Sequence, residues 1–165
     1  MTGEEFLSRL DYYAYAWLPA RQLVQAALDK RTQVDASGKI ILFEEFLPWK
    51  VRSPFTCQVL KRQLFFLLPQ EHLFELEAQE SISEDAKPLY VLYPDGNSGK
   101  WRIQAVPVTP DSFQSRKALP EAWRGLRDDQ LSKVSGIAGG VFVHASGFIG
   151  GMPEYVLNTL PDMLI

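Results

Sequence analysis

A single cysteine, Cys57, stands in this chain, so no internal disulfide can form. No histidine lies near it in sequence to make it a catalytic nucleophile. Histidine is almost as scarce: His72 and His144 are the only two, and no Asp-His-His triplet occurs. A two-metal hydrolase needs several imidazoles and carboxylates around its ions, and the sequence does not offer that cluster. No apolar run approaches the roughly 20 residues of a membrane-spanning helix, so no membrane partner is expected. Surplus positive charge is missing too. Lys and Arg number 17 against 20 Asp and Glu, so only a local basic patch, not bulk charge, can serve a nucleic acid. The start, Met1-Thr2-Gly3-Glu4-Glu5, is acidic where a secretory or mitochondrial leader is basic. No targeting segment is expected.

What is present suits one domain with a real core: 165 residues, 46% of them apolar. Phe6, Leu10, Tyr13 and Trp17 recur at helical spacing and predict a helix over 3–18. Pro19 suits the first turn of a second helix, whose apolar stripe continues through Leu23, Ala26, Ala27 and Leu28 toward Lys30 and Arg31. Residues 33–38 read as a turn and 39–43 as a strand. Farther on, 89–93 and 101–106 read as the strands of a hairpin about a turn at 94–99. Residues 119–124 can open a short helix. Asp128 can cap another that stops at Gly136, and 141–143 is a last strand. The expectation is an α+β fold, with N-terminal helices followed by a mostly antiparallel or mixed sheet with short helices, in a single region over 1–165.

The chemistry concentrates in Phe142-Val143-His144-Ala145-Ser146-Gly147-Phe148-Ile149-Gly150-Gly151. One reading is an anion site, in which His144 donates a hydrogen bond and the amides of Gly147, Gly150 and Gly151 cradle a phosphate. The other is a strand end whose glycines supply tight turns. Spacing alone leaves both open. Arg102, Arg116, Lys117, Arg124 and Arg127 are candidate contacts to a nucleic-acid backbone, with Trp101 and Trp123 placed to stack on bases. By spacing alone the same residues read more readily as a solvated face, with Trp123 in the core. His72 and Glu75 have helical i, i+3 spacing, but two ligands are too few to hold a metal. Glu71 and Glu77 beside them predict an exposed polar face.

Several words occur in an order that resembles one family: Trp17-Leu18-Pro19-Ala20-Arg21, Pro48-Trp49-Lys50, Glu71-His72-Leu73-Phe74-Glu75-Leu76-Glu77, Tyr93-Pro94-Asp95, Trp101-Arg102-Ile103-Gln104, Leu119-Pro120-Glu121, Trp123-Arg124-Gly125-Leu126-Arg127-Asp128 and the His144 segment. In these the chain resembles the C-terminal region of the melanocyte proliferating gene 1 exonucleases. That family belongs to the DHH phosphoesterase superfamily, and its members were formerly described as metal-dependent protein hydrolases. The resemblance implies a metal-dependent 3′→5′ RNA exonuclease of mitochondrion and nucleus. Its divalent metal, Mn or Mg, and its catalytic residues would sit in an N-terminal DHH half that this chain is expected to lack. By the same resemblance the chain has no catalytic residue or cofactor of its own and is inactive alone. It would bind single-stranded RNA through His144, Gly147, Gly150 and Gly151, backed by Arg102, Arg116, Lys117, Arg124 and Arg127. A non-catalytic RNA- or protein-binding module and a truncated splice product are the alternatives.

Two stretches depart from the family pattern. The tail over 152–165 diverges, and Pro161 would disrupt a terminal helix there. Residues 51–70 intervene between the Pro-Trp-Lys and Glu-His-Leu words and read as an insertion. Its apolar block, Leu64–Leu68, is an aggregation hazard if the fold offers it no site. Val51-Arg52 can be encoded GTG-AGR, and Phe65–Gln70 as a pyrimidine tract followed by CAG, so the stretch reads as a retained intron, with a lineage-specific surface insertion as the alternative. Transcripts spliced from codon 50 to codon 71 are therefore expected when the gene and its messages are sequenced. Genomic codons without such boundaries, or the absence of a spliced message, overturn this expectation.

Overall fold

The computed structural model describes residues 18–44, 68–95 and 99–153, with Leu7, Leu10, Ala14 and Leu164 besides. Most of the helix expected over 3–18, the insertion as far as residue 67 and the tail at 154–163 lie outside these residues. The chain divides into two compact units, Met1–Asp29 with Leu47–Ser81, and Lys30–Phe46 with Ile82–Ile165. Among the described residues no helix is long and apolar enough to cross a membrane.

Among the described residues the first unit contains two helices, α1 (Leu18–Asp29) and the later Leu68–Gln79, which pack on one another. Pro19 stands in the first turn of α1, where its missing N–H costs no helical bond. Ala20, Val24, Ala27 and Leu28 recur at i, i+4, i+7 and i+8 and are buried. The residues 68–70, expected to end the insertion, form the first turn of the second helix. Arg21 Nη2 donates to Gln79 Oε1 at 2.6 Å, and Gln25 Nε2 to Glu80 Oε1 at 2.6 Å. The polar face expected here is only half right. Glu71 and Glu75 are exposed, but His72 and Glu77 are buried on the same stripe as Leu73 and Leu76. Positions 72, 73, 76 and 77 share one helical face, and burial follows the face rather than the polarity of its members. His72 Nδ1 lies 3.4 Å from Glu75 Oε2.

The second unit opens with the short helix α2 (Arg31–Val34) and strand β1 (Ile40–Leu42). In chain order Leu68–Gln79 becomes α3. It is followed by β2 (Tyr90–Asp95), β3 (Lys100–Ala105), α4 (Asp128–Ser135), β4 (Phe142–Val143) and β5 (Ile149–Met152), with single 3₁₀ turns at Glu84–Ala86 and Glu121–Trp123. The strands form one sheet in the order β1-β2-β3-β5-β4. β1 runs parallel to β2, and every other pairing is antiparallel, so the expected mixed sheet is observed. The hairpin of β2 and β3 stands, but its turn starts later than expected. Pro94 and Asp95 still pair with Trp101 and Lys100. Pro94 is tolerated because β1 covers β2 only as far as Leu92, which leaves the missing N–H facing no partner strand.

Side chains of one sheet face build the core: Ile40, Tyr90, Leu92, Ile103, Ala105, Val143 and Met152, with Leu119, Trp123, Leu131 and Ile137 packed among them. β4 is not left as an open edge. Gly125 N–H donates to Val143 O, Val143 N–H to Leu126 O, and Asp128 N–H to Val141 O, so the 125–128 segment covers it. That pairing also moves the start of α4. Arg127, not Asp128, is the cap, because its carbonyl accepts the first helical bonds from Gln130 and Leu131. Gly136 ends the helix as expected, at φ +75°.

β5 is the element that the sequence hides. Gly150 pairs with Ile103 on one side and Val143 on the other. A Cβ at Gly150 would stand 3.1 Å from Phe142 O and 3.2 Å from Ile103 Cγ2. The backbone oxygen cannot swing away, so Gly150→Ala is expected to lower stability by about 1–3 kcal/mol in urea unfolding, and an unchanged midpoint would refute this. Burial pushes the phenols of Tyr90 and Tyr93 up to about 12, with Arg124 and Arg102 pulling each part of the way back. Unfolded tyrosine titrates near 10, so above that pH the unfolded chain sheds protons that the folded chain keeps. Stability is thus complete below about pH 10 and falls toward pH 12. Tyr93→Phe is expected to flatten that fall in pH-dependent unfolding.

Candidate nucleic-acid interface

Alternation along the strands sends one set of side chains into the core and the other to the opposite face. Val143 points into the core, so Phe142 and His144 on either side of it share the other face. Register carries that face across the sheet. Tyr93 pairs with Arg102, Arg102 with Gly151, Gly151 with Phe142, and Phe142 with Arg127. The next row runs from Val91 through Gln104 to Ile149, whose carbonyl accepts from His144 N–H at 2.9 Å. Exposure rises along these rows. Val91, Tyr93 and Gln104 are buried, Arg102, Phe142 and Ile149 are partly buried, and His144 and Arg127 are exposed.

The first row brings two guanidinium groups to one ring. Arg102 Cζ lies 5.1 Å from the centroid of Phe142, and Arg127 Cζ lies 5.7 Å from it. Both fall within the range in which a cation is held by an aromatic quadrupole. Arg102 also donates from Nη2 to Asp95 Oδ2 at 2.6 Å. Asp95 thus fixes one end of the row, and Arg127 is exposed at the other. Tyr93 donates its hydroxyl proton to Gln104 Oε1 at 3.0 Å.

His144 begins the turn between β4 and β5. Ser146 N–H donates to its Nδ1 at 3.2 Å, and Ser146 Oγ lies 2.8 Å from the same atom. Nδ1 is therefore an acceptor, and the neutral ring carries its proton on Nε2. Among the described residues Nε2 has no partner, and the ring is exposed. Phe148 holds the ring edge-on, with centroids 4.8 Å apart.

The glycines sit where side chains of neighbouring elements need room. Gly147 has φ +70°, and its amide donates to His144 O at 2.8 Å. A Cβ there would stand 2.7 Å from Arg124 Nε. Gly150 and Gly151 lie inside β5, paired on both sides, rather than in an open loop. Of the two readings left open by spacing, the structure favours the one in which the turn and the sheet employ this backbone.

The remaining cations hold local structure. Arg116 Nη1 donates to Pro88 O at 2.9 Å, Lys117 Nζ to Leu164 O at 2.6 Å, and Arg124 Nε to Leu119 O at 2.9 Å. Of the five, Arg102 and Arg127 are the two that meet on one ring. Trp123 is buried, and Trp101, partly buried, packs against the core on the sheet face opposite Arg102. Phe142 is the site residue that spacing missed. Its signal was present, since it alternates with His144 about a core valine. Among the described residues no three His, Cys, Asp or Glu side chains gather closely enough to hold a metal ion.

Comparison with known proteins agrees with the resemblance read from the sequence. The model of an uncharacterised protein family (UPF0160), the MYG1 exonucleases, matches residues 1–53 and 56–156. The MYG1 exonuclease of Homo sapiens is 50% identical over 152 residues, covering 92% of this chain and 34% of the relative. A MYG1 protein of Caenorhabditis elegans is 48% identical over 151 residues, covering 90% of this chain and 38% of the relative. One from Saccharomyces cerevisiae is 43% identical over 149 residues, covering 90% and 37%. No solved structure matches. The chain spans little more than a third of the length of these relatives, and by the extent and identity of the match it belongs to the MYG1 exonuclease family.

Proposed function

We propose that this chain is the substrate-side region of a metal-dependent 3′→5′ RNA exonuclease of the DHH superfamily. It holds single-stranded RNA, while hydrolysis takes place elsewhere in the whole protein. The observation that carries the reading is the sheet face on which Arg102 and Arg127 meet over Phe142, with the outward Nε2–H of His144 one row away. Two cations and a hydrogen-bond donor on a rigid surface suit the phosphates of a nucleic-acid strand. The relatives bearing the name exonuclease support nucleic acid as the ligand. The described side chains do not fit a divalent metal, so no hydrolytic step is assigned to them.

Holding is itself a catalytic contribution. A 3′ end fixed against the reacting groups converts an encounter into a step within one complex. Arg127 supplies the part of the hold that is easiest to remove, because the residue is exposed and its side chain is not among those of the core. Mixing the chain with end-labelled single-stranded RNA and Mn²⁺ is expected to give a mobility shift without shortening. Arg127→Glu is expected to weaken the shift roughly tenfold and to lower the salt slope of binding by about 0.7. Shortening that EDTA abolishes would overturn the division of labour, and the absence of any shift would overturn RNA binding.

A further inference from the structure

Gly151 separates Arg102 from Phe142 in the register of the sheet, yet the arginine reaches the ring. It does so by crossing β5 directly over Gly151. A Cβ at that position would stand 3.0 Å from Arg102 Nη1 and 3.1 Å from two carbons of the Phe142 ring. Any side chain would lie in the lane that the guanidinium uses. The same arrangement recurs at Gly147, where Arg124 crosses and donates to Leu119 O, and Leu119 N–H in turn donates to Gly147 O. Two glycines of the run thus each carry an arginine where a side chain would stand.

We infer that Gly151 is a positioning residue for anion binding: it seats Arg102 against Phe142, so that Arg102 and Arg127 form a paired-guanidinium site for the phosphates of a single RNA strand. This rests on the proposed substrate-side role and adds the means. The glycine segment acts on the anion through arginine side chains, not through its amides. Two facts favour that route. The amide of Gly147 is already bonded to His144 O, and Gly151 lies within a strand paired on both sides. The two guanidinium carbons, each within 6 Å of one centroid, are no more than about 11 Å apart, close enough for one strand to touch both. Asp95 keeps the Arg102 head from swinging away when the strand is absent.

The test is a double-substitution cycle on the whole chain, read by titration of a fluorescent single-stranded oligoribonucleotide over a range of salt. Gly151→Ala and Arg102→Gln are each expected to weaken binding roughly tenfold and to lower the salt slope by about 0.7. The double variant is expected to bind no more weakly than Arg102→Gln alone, because the glycine acts through the arginine. If Gly151→Ala does not fold, Phe142→Leu takes its place. It removes the ring but leaves the strand intact, and is expected to weaken binding in the wild-type background and not when Arg102 and Arg127 are both Gln. An equal loss from Gly151→Ala with and without Arg102, or an unchanged slope in Arg102→Gln, overturns the inference. A wild-type chain that binds no RNA overturns instead the role on which it rests.

Discussion

Strand β5 must pass between β3 and β4 without filling the space above and below itself. Gly150 meets that demand on the core side, where Ile103 and Leu119 close over it. Gly151 meets it on the other side, where Arg102 and the ring of Phe142 close over it. Two adjacent residues therefore serve opposite faces of the sheet. One allows the core to close, and the other allows the charged row to form. The strand alternation that makes this possible is strict, since a slip of one residue would exchange the two roles.

Most of the architecture was legible because it rests on local signals. The start of α1 at Pro19, the hairpin of β2 and β3, and the glycine stop of α4 each follow from a few neighbouring residues. The stripe of α1 was only half legible, since Leu23 and Ala26 are exposed while Ala20 and Val24 join Ala27 and Leu28 in burial. What was not legible depends on partners distant in sequence. β5 carries Ile-Gly-Gly-Met, which looks like a turn until two neighbouring strands are there to require the glycines. His72 and Glu77 look like a solvated face until the helical stripe that they share with Leu73 and Leu76 is buried. In the site the arginines could be named but not sorted. Arg102 and Arg127 meet the Phe142 ring, while Arg116, Arg124 and the neighbouring Lys117 are taken up by backbone carbonyls, and those partners are distant in sequence or set by the fold.

The charged row also explains how an acidic chain can offer a basic surface. With a net charge of −3 the mean field opposes a polyanion, so attraction has to come from contacts within a few ångströms. Two guanidinium groups brought together repel, and bare proximity would push them apart. Phe142 offsets that repulsion by presenting the electron-rich region of one ring to both, and Asp95 balances the inner member. In the proposed role an incoming phosphate need not organise these groups, because the sheet already has. Arg127, at the exposed end, is in that role the cation that a strand meets first.

His144 completes the face in a way that bears on its chemistry. A histidine acting as general base must present an unprotonated nitrogen to the proton it removes. Here the nitrogen that accepts is Nδ1, and it faces inward to the amide and hydroxyl of Ser146. The amide cannot rotate to become an acceptor, so placing the proton on Nδ1 would set two donors against each other. Nε2 is thus the donor in the neutral ring that the turn selects. Contact with an anion at Nε2 uses that tautomer, whereas proton abstraction there requires the tautomer that the turn opposes. In the proposed role His144 is accordingly a donor to the strand, on the same face and with the same polarity as the two arginines beside it.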